Sequence, residues 1–469
     1  MTKLSDTIAA VATGMNQGGI GIIRVSGEKA IEIVDSIFIS NKKGKEIRNL
    51  SSYTAAYGNI IENIDLEKNN NIEKVIDEVI VLVMRAPSTY TKEDVVEINC
   101  HGGTQVMKQI LHLLLRNGAR LAEPGEFTKR AFLNGRIDLS QAESVMDLIS
   151  AKSDLAAKTA LSQLKGSLKE KIENLRGKLI HNIAYIESAL DDPEHYDLDG
   201  FSDTLDELLM EMEGEISHLI QTAEDGKMMK EGIRTVILGK PNAGKSSILN
   251  VMIGKERAIV TDIAGTTRDT LEEFISIHGI PLNIVDTAGI RNTDDVVEKI
   301  GVDKSIEAME EADLILFIID ASVALDENDF QIMEKIKDKQ VIILQNKSDL
   351  DYVVKKEEIL SHLDKPIIDI SAKEQTGFEG FYKLLNDMFF HGFLSYNDEV
   401  YITNMRHKEA LEESLGSIQL VRKSIADDMP EDFYSIDLMA AYERLGYIIG
   451  EAVEDDLVDT IFREFCMGK

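Results

Sequence analysis

The spacing of apolar residues changes character along the chain. In residues 1–134, short runs at Gly19–Val25, Val75–Arg85 and Val95–Asn99 predict strands, and Val106, Ile110, Leu113 and Leu114 fall at helical spacing over Thr104–Asn117. Residues 135–226 carry almost no turn-forming residues and predict long helices, with Pro193 in an acidic break between two of them. Leu155, Ala156, Leu161 and Leu164 in that stretch read as core positions. Residues 232–390 alternate apolar runs with amphipathic stretches, the pattern of a parallel α/β sheet. Its strands are expected at Thr235–Leu238, Leu282–Val285, Leu314–Asp320, Val341–Gln345 and Ile367–Ile370. Residues 397–469 return to helix. A helical region interrupted by an α/β unit predicts an inserted domain whose two ends lie close together.

Length and charge sharpen this division. A chain of 469 residues accommodates about three domains. The formal net charge of -32 is unevenly spread. Residues 1–134 are neutral, residues 135–226 carry -12, and residues 227–396 and 397–469 carry -10 each. An acidic surface repels nucleic acid, whose binding depends on neutralising phosphates. Cys100 and Cys466 are too few for a disulfide framework or a four-cysteine zinc site and fit a reducing, cytoplasmic compartment. The densest apolar run, Leu314–Ile319, is far short of the ~20 residues of a membrane-crossing helix. The stretch Ile8–Thr13 lacks a basic flank and reads as strand or loop, not as a signal peptide.

The clearest chemistry follows the Thr235–Leu238 run. Gly239-Lys-Pro-Asn242-Ala243-Gly244-Lys245-Ser246 matches GxxxxGK[ST] between a strand and a helix, with Ser247 next in line. Backbone N–H groups of such a loop wrap phosphates, the lysine reaches the terminal phosphates and the serine hydroxyl ligates magnesium. Asp286-Thr287-Ala288-Gly289 ends the next strand, where an aspartate holds magnesium and a glycine N–H senses the γ-phosphate. Asn346-Lys347-Ser348-Asp349 also ends a strand, and its Asp349 carboxylate can accept two hydrogen bonds from guanine and so reject adenine. Asn346 and Lys347 read as site residues or as braces of that loop. Ser371-Ala372-Lys373 would support the base. Together these four motifs predict a GTP-binding domain.

The loop Gly265-Thr266-Thr267-Arg268-Asp269 stands where a mobile switch closes the magnesium shell with a threonine hydroxyl. Arg268 and Asp269 read either as part of that switch or as a local surface ion pair. Ras-like GTPases place a water-orienting glutamine directly after Asp-x-x-Gly; here the residue is Ile290, which cannot do this. Arg291, Asp294, Asp295 and Glu298 are the nearby candidates, and spacing does not choose among them.

The whole chain resembles one family, the MnmE (TrmE) tRNA-modification GTPases. The resemblance rests on Gly-Ile-Gly-Ile-Ile-Arg-Val-Ser-Gly at 19–27, Cys-His-Gly-Gly at 100–103 and Pro-Gly-Glu-Phe-Thr-Lys-Arg-Ala-Phe-Leu-Asn-Gly-Arg at 124–136. It extends through the GTPase motifs to Cys466-Met-Gly-Lys469. It implies an N-terminal α+β domain (1–134) that resembles tetrahydrofolate-binding folds and forms a homodimer. It also implies an all-α helical domain in two segments (135–226 and 397–469) and an inserted Ras-like P-loop G domain with a mainly parallel sheet (227–396). With its partner MnmG (GidA), a flavoprotein, the family adds an aminomethyl or carboxymethylaminomethyl group to C5 of the tRNA wobble uridine. The one-carbon unit comes from a tetrahydrofolate derivative such as 5-formyltetrahydrofolate.

Residue by residue, the resemblance gives potassium to Asn242, Thr261, Ile263 and Thr266, and magnesium to Ser246 and Thr267. Potassium then supplies positive charge beside the phosphates and brings two G domains face to face. Glu298 matches the family's catalytic glutamate. Arg24, Glu97, Arg136 and Lys469 match the folate site; a carboxylate such as Glu97 suits the donor-rich edge of a pterin, and cations suit the glutamyl tail. Cys466 is a functional candidate there without a chemical role, and His101 reads as structural.

The expected function is therefore a potassium-stimulated GTPase and folate-binding subunit in tRNA wobble-uridine modification, with tRNA bound mainly through MnmG and no membrane. The rival is a switch GTPase in ribosome assembly, which would call for a basic RNA-binding face that no segment here supplies.

Overall fold

The computed structural model describes residues 6–14, 18–42, 46–66, 70–192, 194–196, 198–255, 273–285, 309–390, 400–451, 455–463, 465 and 468. The chain divides into two compact units, one of residues 1–146, 168–174 and 445–469, the other of residues 147–167 and 175–444. Pro193 lies outside the described residues.

The first unit is built on a seven-stranded sheet of β1 (Ile8–Val11), β2 (Ile20–Ser26), β3 (Phe38–Ser40), β4 (Thr54–Leu66), β5 (Asn70–Met84), β6 (Val95–His101) and β7 (Arg120–Leu121). Their order is β3-β4-β5-β6-β2-β1-β7. Every pairing is antiparallel except β1 with β7. Strand alternation assigns the faces. Ala9, Ile23, Val25, Val81, Val83, Val96 and Ile98 face the helices Ala30–Ile37 and Thr104–Arg116 in one core. On the other face, Ile8 and Ala10 of β1 pack with Ala122 and Phe127 of the helix Glu126–Leu133. Further along that face, Tyr57 of β4 and Ile80 of β5 stand directly opposite each other, 52% and 49% exposed.

The chain's last helix, Asp455–Arg463, closes this unit. Val458, Phe462 and Phe465 pack on Ala131, Leu139 and Ala142. Gly125 (φ 66°) is required here, because a Cβ would lie 2.6 Å from the Phe462 carbonyl oxygen.

The second unit contains the α/β sheet. Its strands β8 (Ile233–Leu238), β9 (Glu273–Ile277), β10 (Ile280–Val285), β11 (Leu314–Asp320), β12 (Val341–Asn346) and β13 (Ile367–Asp369) run in the order β13-β12-β11-β8-β10-β9. All neighbours are parallel except the β9–β10 hairpin at one edge. The central strands are buried on both faces, which is why they read as unbroken apolar runs. The antiparallel β9 falls outside the strand runs expected from sequence.

The long helices Phe201–Glu231 and Met405–Ala426 lie antiparallel, stitched by Arg422 to Asp206 and Glu213, Gln419 to Glu213, and Lys408 to Glu224. The long helices expected after residue 135 are interrupted at 151–153 and at Lys165–Gly166, where Gly166 is left-handed with φ 100°. Leu161 corrects another expectation: it is 41% exposed, because Ala156, Ala160 and Gln163 take the inward positions of its helix. Among the described residues, no helix is long and apolar enough to cross a membrane.

Candidate functional site

The phosphate loop begins where β8 ends and finishes in the helix Lys245–Lys255. Two glycines shape it. Gly239 (φ 143°) lies against the backbone of Ile318 on β11, and Gly244 (φ 100°) lies against the Asn346 side chain; a Cβ at either would collide. Asn242 is left-handed at φ 64°, which asparagine tolerates. The Lys245 ammonium donates to the carbonyls of Gly239 (2.7 Å) and Lys240 (2.8 Å). Burial lowers its pKa from the ordinary lysine value. Ala243 is buried, while Ser246 and Ser247 open the helix, whose first N–H groups suit an anion.

The end of β12 locks onto this loop. The buried Asn346 side chain donates from Nδ2 to the Ala243 carbonyl (2.8 Å) and accepts at Oδ1 from the Ala372 N–H (3.1 Å). One amide thus ties the phosphate loop to the Ser371–Lys373 turn, which is the bracing role that the sequence offered as one of two readings. Lys347, left-handed at φ 65°, reaches Asp320 at the end of β11 (Nζ–Oδ2, 2.5 Å). Burial alone would raise the Asp320 carboxyl, but Lys347 and two bonds from Ser322 outweigh it and hold it below the usual range. Asp349 accepts from the Ser371 hydroxyl (2.7 Å), which lowers its pKa. Lys373 stands 3.7 Å from the same carboxylate.

Two anchors of this site were not foreseen from sequence. Asp320 is one. The other is Asp329, which with Asp326 holds the loop residue Lys240 at 2.6 and 3.1 Å. Asp326 also caps the helix Glu327–Ile336 through a capping box, a signal visible in sequence but silent about its loop partner.

A second cluster lies in the first unit. Arg24 of β2 and Glu97 of β6 are direct cross-strand partners, and Arg24 Nε donates to Glu97 Oε1 at 2.9 Å. Both side chains are mostly covered, at 23% and 18% exposure. The Arg24 guanidinium stands 5.7 Å from the Phe127 ring and 6.0 Å from the Tyr90 ring, and Arg136 stands 4.7 Å from the same Tyr90 ring. Arg24 also reaches the Gly468 carbonyl at 3.5 Å. Gly468 (φ 87°) packs directly on the backbone of Val11 and Ala12, at the end of β1. Arg24, Glu97 and Arg136 are therefore gathered together, and Tyr90, Phe127 and Gly468 join them without any spacing pattern to announce it.

Cys100, in the same sheet, is buried with its thiol donating to the Gly21 carbonyl, and burial pushes its pKa up to about 11. His101 is exposed and held by Asp77 at 2.6 Å, which raises its pKa. Thr261, Ile263, Thr266, Thr267, Arg268, Asp269, Asp286, Thr287, Ala288, Gly289, Glu298, Cys466 and Lys469 lie outside the described residues, as do Arg291, Asp294 and Asp295.

Comparison with known proteins bears on both clusters. Residues 139–466 match the model for the MnmE helical domain, and residues 7–136 match that for the GTP-binding protein TrmE N-terminus. The chain belongs to the MnmE family. Named tRNA modification GTPase MnmE, the relative from Lachnoclostridium phytofermentans is 56% identical over 465 residues, covering 99% of this chain and 100% of its own. Those of the same name from Clostridioides difficile and Bacillus licheniformis are 50% and 44% identical, each again covering 99% of this chain and 100% of its own length. The MnmE match spans both the phosphate loop and the Arg24 cluster, so the two sites belong to one protein architecture.

Proposed function

We propose that this tRNA-modification GTPase binds a tetrahydrofolate derivative in its Arg24 cluster and uses GTP turnover to serve C5 modification of the tRNA wobble uridine. The observation that carries the folate reading is the covered Arg24–Glu97 pair beside Arg136 and Gly468. A carboxylate at Glu97 accepts from the aminopyrimidine edge of a pterin, and the guanidinium groups offer a home to the glutamyl carboxylates. The alignment over 99% of the chain with a relative named for tRNA modification supports tRNA as the target.

In the GTP site, the loop N–H groups and Lys245 hold the phosphates while Asp349 accepts from guanine. Ser246 fits magnesium by its place in the first turn of the helix, and the ion would spread the triphosphate's charge. Asn242 is exposed on the loop, where it can take the potassium role the family resemblance gives it. Glu298 is the proposed water-positioning group. The three-part organisation with an inserted G domain is supported by the approach of the insert's two ends, where Gly226 meets the Ile402 backbone. The exposed Tyr57–Ile80 row supports a homodimer through the N-terminal sheet. A net charge of -32 supports a flavoprotein partner of the MnmG type as the main tRNA-binding surface.

The test of the cation-dependent mechanism is GTP turnover in potassium against sodium. Turnover is expected to be faster in potassium; equal rates would contradict the mechanism.

A further inference from the structure

The loop Thr89–Asp94 between β5 and β6 is held by more contacts than a connecting loop needs. Arg130, buried on the helix Glu126–Leu133, donates to both oxygens of Glu93 at 3.0 and 3.1 Å. Asn134 donates to the Thr91 carbonyl at 2.6 Å, and Lys92 to the Gly135 carbonyl at 2.9 Å. Ser26 of β2 bonds both Thr91 and Glu93 at 2.7 Å. The residue that all this fixes in place is Tyr90.

Its hydroxyl is 3.0 Å from Thr128, and its ring is the surface that both Arg136 (4.7 Å) and Arg24 (6.0 Å) approach. Arg24 has Glu97 to orient it; for the Arg136 side chain, the contact found among the described residues is the Tyr90 ring. A ring face attracts a guanidinium and holds its plane while leaving its N–H groups free to meet an anion.

We infer that Tyr90 is the positioning residue of the folate site, its ring setting Arg136 beside Arg24 for the anionic part of the ligand. The inference rests on the folate reading above and deepens it. It also gives the 124–136 segment a purpose, since Thr128, Arg130, Asn134 and Arg136 all act on Tyr90 or its loop.

The experiment is calorimetric titration of 5-formyltetrahydrofolate into the full-length protein as wild type, Glu97→Ala, Tyr90→Phe, Tyr90→Leu, Arg136→Ala and the double variant Tyr90→Leu/Arg136→Ala. Tyr90→Leu is expected to weaken binding by about fivefold or more, and Tyr90→Phe, which keeps the ring face, by less than about threefold. In the Arg136→Ala background, Tyr90→Leu is expected to cost little further, because the pair acts as a unit. An equal loss in both backgrounds, or a Tyr90→Phe loss as large as that of Tyr90→Leu, would overturn the inference. So would wild-type affinity in Tyr90→Leu. In each of these cases the folate reading stands if Glu97→Ala has lost binding. Failure of the wild type to bind would remove both.

Discussion

Asn346 shows how much of the nucleotide site can hang on one side chain. Its amide is buried and satisfies the Ala243 carbonyl and the Ala372 N–H, which belong to two different loops. Replacing it with alanine leaves both groups without that partner, and each unsatisfied buried group costs about 1–3 kcal/mol. Asn346→Ala is therefore expected to weaken GTP binding by roughly tenfold to a hundredfold in a fluorescent-nucleotide titration. Unchanged affinity would mean that the two loops do not depend on this bridge. Lys245, Asn346 and Asp349 could be read from sequence because each sits in a contiguous motif at a strand end. Asp320 and Asp329 could not, since their partners Lys347 and Lys240 are brought to them by strand order and helix packing. Arg24 and Glu97 were found by family resemblance; their contact comes from a register pairing β2 with a strand more than seventy residues later.

Among the elements, those buried on both faces were the easiest to foresee. β11 runs from Leu314 to Asp320 as its apolar run predicts, and β8, β10 and β12 differ from expectation only at their ends. The first sheet was harder. The uncovered face of β4 mixes Ala55 and Tyr57 with Asn59, which blurs a strand's alternation, and β7 has two residues held by pairing with β1. Helix breaks at Lys165–Gly166 depend on a left-handed glycine that composition alone does not mark.

The helix Phe201–Glu231 offers a direct comparison of two glycines. Gly214 has open space around its Cβ direction, whereas Gly226 touches the Ile402 backbone where the chain leaves the α/β sheet. Gly214→Ala is expected to be neutral or to stabilise by up to about 1 kcal/mol through helix propensity. Gly226→Ala must push the helix and the 401–403 segment apart, costing about 1–3 kcal/mol. Thermal unfolding would show a lower midpoint for Gly226→Ala alone; equal midpoints would mean that the close approach bears no load.

At the scale of the whole molecule, one chain carries two chemistries of opposite character. The neutral N-terminal third sets guanidinium groups against aromatic rings, and the acidic remainder carries a phosphate loop that relies on backbone N–H groups and one lysine. Neither alone explains an enzyme of tRNA modification; both together are expected to be needed for one product. The decisive measurement is nucleoside analysis of tRNA from a strain lacking the gene and supplied with wild type, Lys245→Ala or Glu97→Ala. Wild type is expected to restore the C5-modified wobble uridine, and both variants to leave it unmodified. Wild-type levels of the modified uridine in the deletion strain, or with either variant, would contradict this.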